Sequence, residues 1–250
     1  MGSYDGRVVL VTGCGQGLGF DMAHAYADAG AKLVMVELNS HTLAEKAEQL
    51  RVCGTDLVAV QGDVSHRATA QAAVAQALEA FGRIDVLLNA AQYLTLPIPF
   101  AEQDDEHIEK MVHSGIFGTM YFMQAAYPAL KEGRGAVINI ASGAGVVGNI
   151  GQGAYAATKE GIRGLSRVAA REWGREGIRV NVISPASNSP SMEAWFKDKP
   201  KEREAVLAGV AQGRFADGYR DLGAVALFLG SPECFLTGQT LQVDGGTVFS

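Results

Sequence analysis

Arg7-Val8-Val9-Leu10-Val11-Thr12-Gly13-Cys14-Gly15-Gln16-Gly17-Leu18-Gly19 is the stretch that decides the fold. Its first half, Arg7 to Thr12, is a short unbroken apolar run of β-branched character, the mark of a strand covered on both faces. Its second half is a glycine-rich turn, after which a helical pattern runs from about Leu18 to Ala29. Lys32 to Val36 is a second strand and ends in Glu37. The alternation continues with a helix over 40–51, a strand over 57–61, a helix over 67–81 with Ser65 read as its cap, and a strand over 85–88. A long helical pattern covers about 104–130, followed by a strand over 136–140, a helix over about 154–175 and a strand over 178–183. A mixed segment over 192–213, a helix over 221–229 and a strand over 240–243 close the chain. Repeated β-α-β units with near-continuous apolar strands predict an α/β, doubly wound parallel sheet in three layers, αβα. With no linker and no repeat, the chain reads as a single domain over 1–250.

Composition narrows the function. The 250 residues are 48% hydrophobic and include 31 glycines, as in a globular, turn-rich protein with a sizeable core. The net charge of −6 comes without acidic or basic blocks, which argues against nucleic acid as a partner. Cys14, Cys53 and Cys234 are scattered with no Cys-x-x-Cys, so a cytoplasmic, reducing compartment and no metal site are expected. Met1 to Gly6 lacks the basic start and apolar stretch of a signal peptide, and no apolar run reaches the length of a membrane span.

The glycine turn lies between the first strand and the first helix, where a doubly wound sheet binds dinucleotide phosphates. Glycines let the backbone approach the pyrophosphate, and the helix start offers free N–H groups. The spacing is Thr12-Gly13-x-x-x-Gly17-x-Gly19 rather than Gly-x-Gly-x-x-Gly. Glu37 ends the second strand 18 residues after Gly19. A carboxylate there accepts both hydrogen bonds of an adenosine ribose diol and repels a 2′-phosphate. No Arg or Lys stands at Gln16, Leu38 or Asn39, so the expected cofactor is NAD rather than NADP. Asp63, after the third strand, is placed to meet the adenine amino group, with Val64 against the ring.

Chemistry is carried by Ser142, Tyr155 and Lys159. Ser142 follows the strand Val137-Ile138-Asn139-Ile140, and a glycine-studded loop leads into the helix. Tyr155 and Lys159 stand i and i+4 on one helix face. A free tyrosine, with a pKa of about 10, is a poor base at neutral pH. A lysine ammonium one turn away is expected to favour the tyrosinate and bring the phenol toward working pH. A serine hydroxyl facing them would hold a substrate oxygen while a proton passes to or from a carbinol.

These pieces together resemble a classical short-chain dehydrogenase/reductase over essentially the whole chain. The matching motifs are Thr12-Gly13-x-x-x-Gly17-x-Gly19, Asp63-Val64, Asn89-Ala90-Ala91, Ser142, Tyr155-x-x-x-Lys159, Asn181-Val182-Ile183-Ser184-Pro185, and the tail Thr237-Gly238-Gln239 with Val243-Asp244-Gly245-Gly246. The resemblance implies a Rossmann fold, NAD(P)-linked interconversion of an alcohol and a ketone, and a homotetramer or homodimer. It makes Tyr155 the general acid/base, Lys159 the group that lowers its pKa and holds the nicotinamide ribose, and Ser142 the residue that positions the reacting oxygen. It brings Gly13, Gln16, Gly17, Leu18, Gly19, Glu37, Leu38, Asp63, Val64, Asn89, Ala90, Ala91, Pro185, Ala186, Ser187 and Ser189 to the cofactor. The chain departs from the family pattern at several positions. Gln92 stands where Asn-Asn-Ala-Gly has its glycine, Gly115 where many members carry a catalytic Asn, and Ala186 where Pro-Gly is usual. Gly115 keeps the main-chain carbonyl that the family uses in a proton relay, and a glycine in mid-helix predicts a bend or a close approach. His113 and Ser114 are polar neighbours on the same helix.

A lid is expected at about 186–215, with Met192, Trp195, Phe196, Leu207 and Phe215. Lys197 to Glu204 reads as a solvated helix face. Gln92, Tyr93, Leu94, Leu96 and Pro97 from one loop, and Val146, Val147, Asn149, Ile150 and Gln152 from another, complete a mostly apolar cleft. Ser142, Gln92, Tyr93, Gln152, Met192 and Trp195 are the expected substrate contacts. With no paired arginines to clamp an anion, the substrate reads as a neutral, fairly apolar secondary alcohol or ketone, cyclic and aromatic skeletons included. Two other classes share the motifs: a non-catalytic NAD-binding protein, and an epimerase or dehydratase that recycles its cofactor.

Overall fold

The computed structural model describes residues 4–187, 193 and 196–248. Seven parallel strands form one sheet in the order β3-β2-β1-β4-β5-β6-β7. The strands are β1 (Val8–Thr12), β2 (Lys32–Glu37), β3 (Leu57–Gln61), β4 (Val86–Asn89), β5 (Ala136–Ile140), β6 (Arg179–Pro185) and β7 (Thr240–Val243). The helices are α1 (Gly17–Asp28), α2 (Ser40–Val52), α3 (Arg67–Phe81), α4 (Asp105–Val112), α5 (Gly118–Gly133), α6 (Ala144–Val147), α7 (Gly153–Trp173), α8 (Pro200–Ala208) and α9 (Gly223–Gly230).

The unbroken apolar runs are explained by helices on both faces. Val9, Val11, Leu33, Met35, Val86 and Leu88 point to one side, where Met22, Tyr26, Leu43, Leu50 and Ala226 from α1, α2 and α9 cover them. Val8, Leu10, Val34, Leu87, Val137 and Val180 point to the other, beneath Ala73, Phe122, Met123, Ala126 and Ala169 from α3, α5 and α7. Ala-rich α3 lies close to the sheet because its buried positions are Ala70, Ala73, Val74 and Ala77. Buried Asp85 holds the start of the sheet together, accepting the Val8 N–H at 2.9 Å and the Arg83 guanidinium at 2.6 and 2.9 Å.

Two local expectations are corrected. The helix expected over 104–130 is broken: α4 ends at Val112, a π-turn occupies His113–Phe117, and α5 starts at Gly118. Gly115 is buried within that turn. Ser65 does not cap α3. The residue before α3 is His66, without a side-chain cap, and Ser65 instead gives its N–H to Asp63 at 2.8 Å in an Asx turn.

β1 lies between β2 and β4, so the chain leaves it in opposite directions and a crevice opens at the carboxyl ends of β1 and β4. Thr12 pairs in register with Asn89, and Asn89 with Asn139, which sets three polar side chains in a row along the floor of that crevice.

Candidate active site

The row of polar residues is wired. Thr12 Oγ1 accepts the N–H groups of Ala90 and Ala91, each at 3.2 Å, and so fixes the backbone that leaves β4. Asn89 Nδ2 donates to Asn139 Oδ1 at 2.8 Å, and Asn139 Nδ2 donates to Ser166 Oγ on α7 at 2.9 Å. Ser166 Oγ donates onward to the Ile162 carbonyl at 2.7 Å. Three elements are thereby registered to one another beneath the site. Asn139 and Ser166 were not expected as site residues; the readable signal was an asparagine inside the apolar run Val137–Ile140.

The glycine turn passes over the end of β1. Gly13 has φ +69° and presses on the next strand: a Cβ there would stand 2.6 Å from the Ala91 Cα. Gly17 opens α1 with φ +56°. Gln16, Gly17, Leu18 and Gly19 form the start of α1, which has no side-chain cap, whereas Asn39 caps α2 and Asp104 caps α4. The first amides of α1 therefore remain available to an anion. Glu37 faces the turn, its Oε2 accepting the Gly15 N–H at 2.9 Å and its Oε1 the Asn39 N–H at 3.1 Å. The Leu38 side chain is exposed beside it, and its carbonyl accepts from Gln61 at 3.1 Å. Val64 is buried under Gly118, and the Asp63 carboxylate is occupied in its Asx turn with His66 3.7 Å away. A glycine cradle that tolerates no side chain, uncapped helix amides and a fixed carboxylate fit a nicotinamide dinucleotide.

Ser142 stands two residues beyond β5, its Oγ accepting the Ala144 N–H at 3.2 Å. Tyr155 and Lys159 project from the first two turns of α7, with the Lys159 ammonium 5.6 Å from the Tyr155 ring centre. Lys159 is buried and donates to the Ile140 carbonyl at 3.0 Å, which ties α7 to the strand that carries Ser142. Burial lowers its pKa to about 7. Burial also raises the Tyr155 phenol above its ordinary value, and its hydrogen bond with Ser142 works the other way. Desolvation thus disfavours both charged forms, raising the phenol and lowering the ammonium.

The remaining sequence-derived positions divide. Gln92 turns toward the π-turn, its Nε2 donating to the Met111 carbonyl at 3.1 Å. Tyr93 is partly exposed, and Gln152, just before α7, accepts from Asn149 at 3.3 Å. Pro185 ends β6, Ala186 gives its N–H to Val243, and Ser187 bridges to Ala216. Ser189, Met192 and Trp195 lie outside the described residues. In the segment expected to form a lid, Phe196 is buried and stacks on Phe215 at 6.1 Å, while α8 is solvated. The loops after β4 and β5 are zipped together: Ile98 N–H donates to the Gly151 carbonyl at 2.9 Å, and the Gln103 carboxamide takes the Ala154 N–H at 3.0 Å. This zipper was not foreseen. It presents Leu94, Leu96, Phe100, Val146, Val147 and Ile150 as an exposed apolar rim.

A family model described as short chain dehydrogenase matches residues 7–200. The chain belongs to the short-chain dehydrogenase family. The family uses a nicotinamide dinucleotide, NAD or NADP, and its members are oxidoreductases acting on CH–OH groups. The chain is 43% identical to a 12α-hydroxysteroid dehydrogenase of Clostridium sp. (strain ATCC 29733 / VPI C48-50), across 98% of both chains. It is 38% identical to a D-threitol dehydrogenase of Mycolicibacterium smegmatis, across 97% of this chain and 93% of that one. Among solved structures, levodione reductase superposes with a TM-score of 0.91 at 31% identity, over 97% of this chain and 98% of the other. Among the described residues, no helix of this short-chain dehydrogenase is long and apolar enough to cross a membrane.

Proposed function

We propose that this short-chain dehydrogenase is an NAD-dependent oxidoreductase that interconverts a neutral, bulky, fairly apolar secondary alcohol and its ketone. The observation that carries this reading is the meeting of Ser142, Tyr155 and Lys159 at the ends of β5 and α7, with Lys159 bonded to the Ile140 carbonyl beneath them. The nicotinamide, when bound, accepts or donates the hydride. Tyr155 is then the group that takes the carbinol proton or returns it to the ketone oxygen. Ser142 Oγ holds that oxygen beside the phenol. Lys159 holds the ribose hydroxyls and, once charged, favours the tyrosinate. The glycine turn from Gly13 to Gly19 would take the pyrophosphate, and Asn89, Ala90 and Ala91 on the crevice floor would hold the cofactor.

Glu37 supports NAD over NADP. Its carboxylate is fixed by two backbone amides at the end of β2, where a 2′-phosphate would meet a like charge. The exposed rim of Leu94, Leu96, Phe100, Val147 and Ile150 supports a large apolar skeleton, and the name of the 43% identical relative makes a 12α-hydroxysteroid the first alcohol to assay. Exposed Phe117 and Val168 near the outer faces of α5 and α7 support assembly as a homotetramer or homodimer. Three free thiols support a cytoplasmic protein.

The test is a titration with NADH and NADPH, then oxidation of a panel of secondary alcohols with NAD, followed by Tyr155→Phe. Tight NADH binding, growth of NADH absorbance with a ring alcohol, and loss of turnover with retained NADH binding in Tyr155→Phe are the expected results. NADH binding with no turnover on any alcohol or ketone would leave a binding protein instead.

A further inference from the structure

One contact beside the proposed catalytic helix has no part in that mechanism. The Gln92 carboxamide, from the loop after β4, reaches into the π-turn. Its Nε2 donates to the Met111 carbonyl at 3.1 Å and to the Tyr93 carbonyl at 3.2 Å, and lies 3.3 Å from Ser114 Oγ. A π-turn interrupts the regular i+4 pattern, and here Gln92 adds a side-chain donor to the Met111 carbonyl, alongside Ser114 Oγ at 3.5 Å. Its Oε1 is buried with no partner among the described residues, as is Thr158 Oγ1 on α7. Both side chains press on Gly115: a Cβ there would stand 2.6 Å from Gln92 Oε1 and 2.1 Å from Thr158 Cγ2. The next residue continues the contact, since a Cβ at Gly161 would stand 2.7 Å from Ile116 Cδ1. The turn therefore leans on α7 at positions 158 and 161, which bracket Lys159.

We propose that Gln92 is a positioning residue for the alcohol–ketone reaction, and this rests on the roles given above to Tyr155 and Lys159. The carboxamide clamps the π-turn, and the turn, in contact through Gly115, sets how α7 seats Lys159 against the Ile140 carbonyl. Gln92 and Gly115 are matched. A side chain at 115 would enter the volume that Gln92 and Thr158 fill, and loss of the carboxamide would leave the Met111 carbonyl without this donor.

Gln92→Met keeps length and approximate volume but removes the donor. It is expected to keep the melting temperature within a few degrees and the alcohol KM within about twofold, while kcat falls about tenfold and its pH profile is displaced. A kcat within about twofold of the parent and an unmoved pH profile would reduce Gln92 to packing and overturn the proposal. A second measurement needs no turnover. Gly115→Ala is expected to lower the melting temperature more in the parent than in Gln92→Ala, because part of the clash is with Gln92. Equal losses in the two backgrounds would dissolve the match. A parent with no turnover on any alcohol would remove the reading of Tyr155 and Lys159, and the positioning role with it, whereas a turning-over parent with an unaffected Gln92→Met removes the positioning role alone.

Discussion

The Gly15 amide donates to Glu37 Oε2 at 2.9 Å, so one carboxylate closes the glycine turn against the start of α2. The same group takes the Asn39 N–H through Oε1 at 3.1 Å. A group that is both strut and charge makes separable contributions. Glu37→Gln keeps one acceptor oxygen, enough for one of the two backbone bonds, and removes the charge. NADPH binding is expected to improve relative to NADH by about tenfold or more, roughly 1.4 kcal/mol of relieved repulsion. Parallel fluorescence titrations measure it, and an unchanged ratio would mean that Glu37 acts only as a strut.

Lys159 makes stability depend on pH. An unfolded lysine is protonated below about 10.4. In the folded chain burial delays protonation until about pH 7. Between those values the unfolded state binds the extra proton, so this contribution to stability rises as pH rises from about 7 toward 10 and weakens as pH falls. Lys159→Met is therefore expected to melt above the parent near pH 7, with the gap shrinking toward pH 10. A gap constant across that range would show that Lys159 is solvated in the folded chain. Tyr155, held above its ordinary value, acts only at the alkaline end, where the unfolded phenol ionises first and stability is lost.

Asn139 tests the buried wiring. It receives from Asn89 and donates to Ser166, and it is fully buried. Asn139→Ala leaves two buried partners unmatched, which is expected to cost about 2–3 kcal/mol in urea unfolding. kcat should fall as well, since Asn89 and α7 lose their common anchor. A loss of stability with full kcat would show that the network only packs the sheet.

The sheet was legible because strands covered on both faces leave unbroken apolar runs, as in Val8–Val11 and Val137–Ile140. The glycine turn, Glu37, Ser142, Tyr155 and Lys159 were legible as residue types at set spacings. What stayed hidden was tertiary. The π-turn at His113–Phe117 leaves the helical pattern nearly intact, and only Gly115 hints at it. Gln92 and Thr158, the side chains that close on Gly115, arrive from other elements. The pKa directions at Tyr155 and Lys159 follow from burial, which the i, i+4 spacing does not reveal. The rim was legible as apolar residues in two loops, but the zipper through Ile98, Gln103 and Gly151 that joins them depends on backbone contacts.

That rim supplies the last test. Ile150 is 94% exposed, so it contributes almost nothing to the folded core. An apolar side chain left in water on the loop that leads into α7 has its burial free energy available for a ligand, about 1.5–3 kcal/mol if fully covered. Ile150→Asp is accordingly expected to leave the melting temperature unchanged. It should raise KM for a polycyclic secondary alcohol about tenfold or more, with little change for a small alcohol such as 2-butanol. Steady-state kinetics on the two alcohols measure the difference. Equal effects on both would mean that the rim does not touch the substrate, and no effect on either would leave Ile150 to a subunit contact, visible as a change in mass by sedimentation.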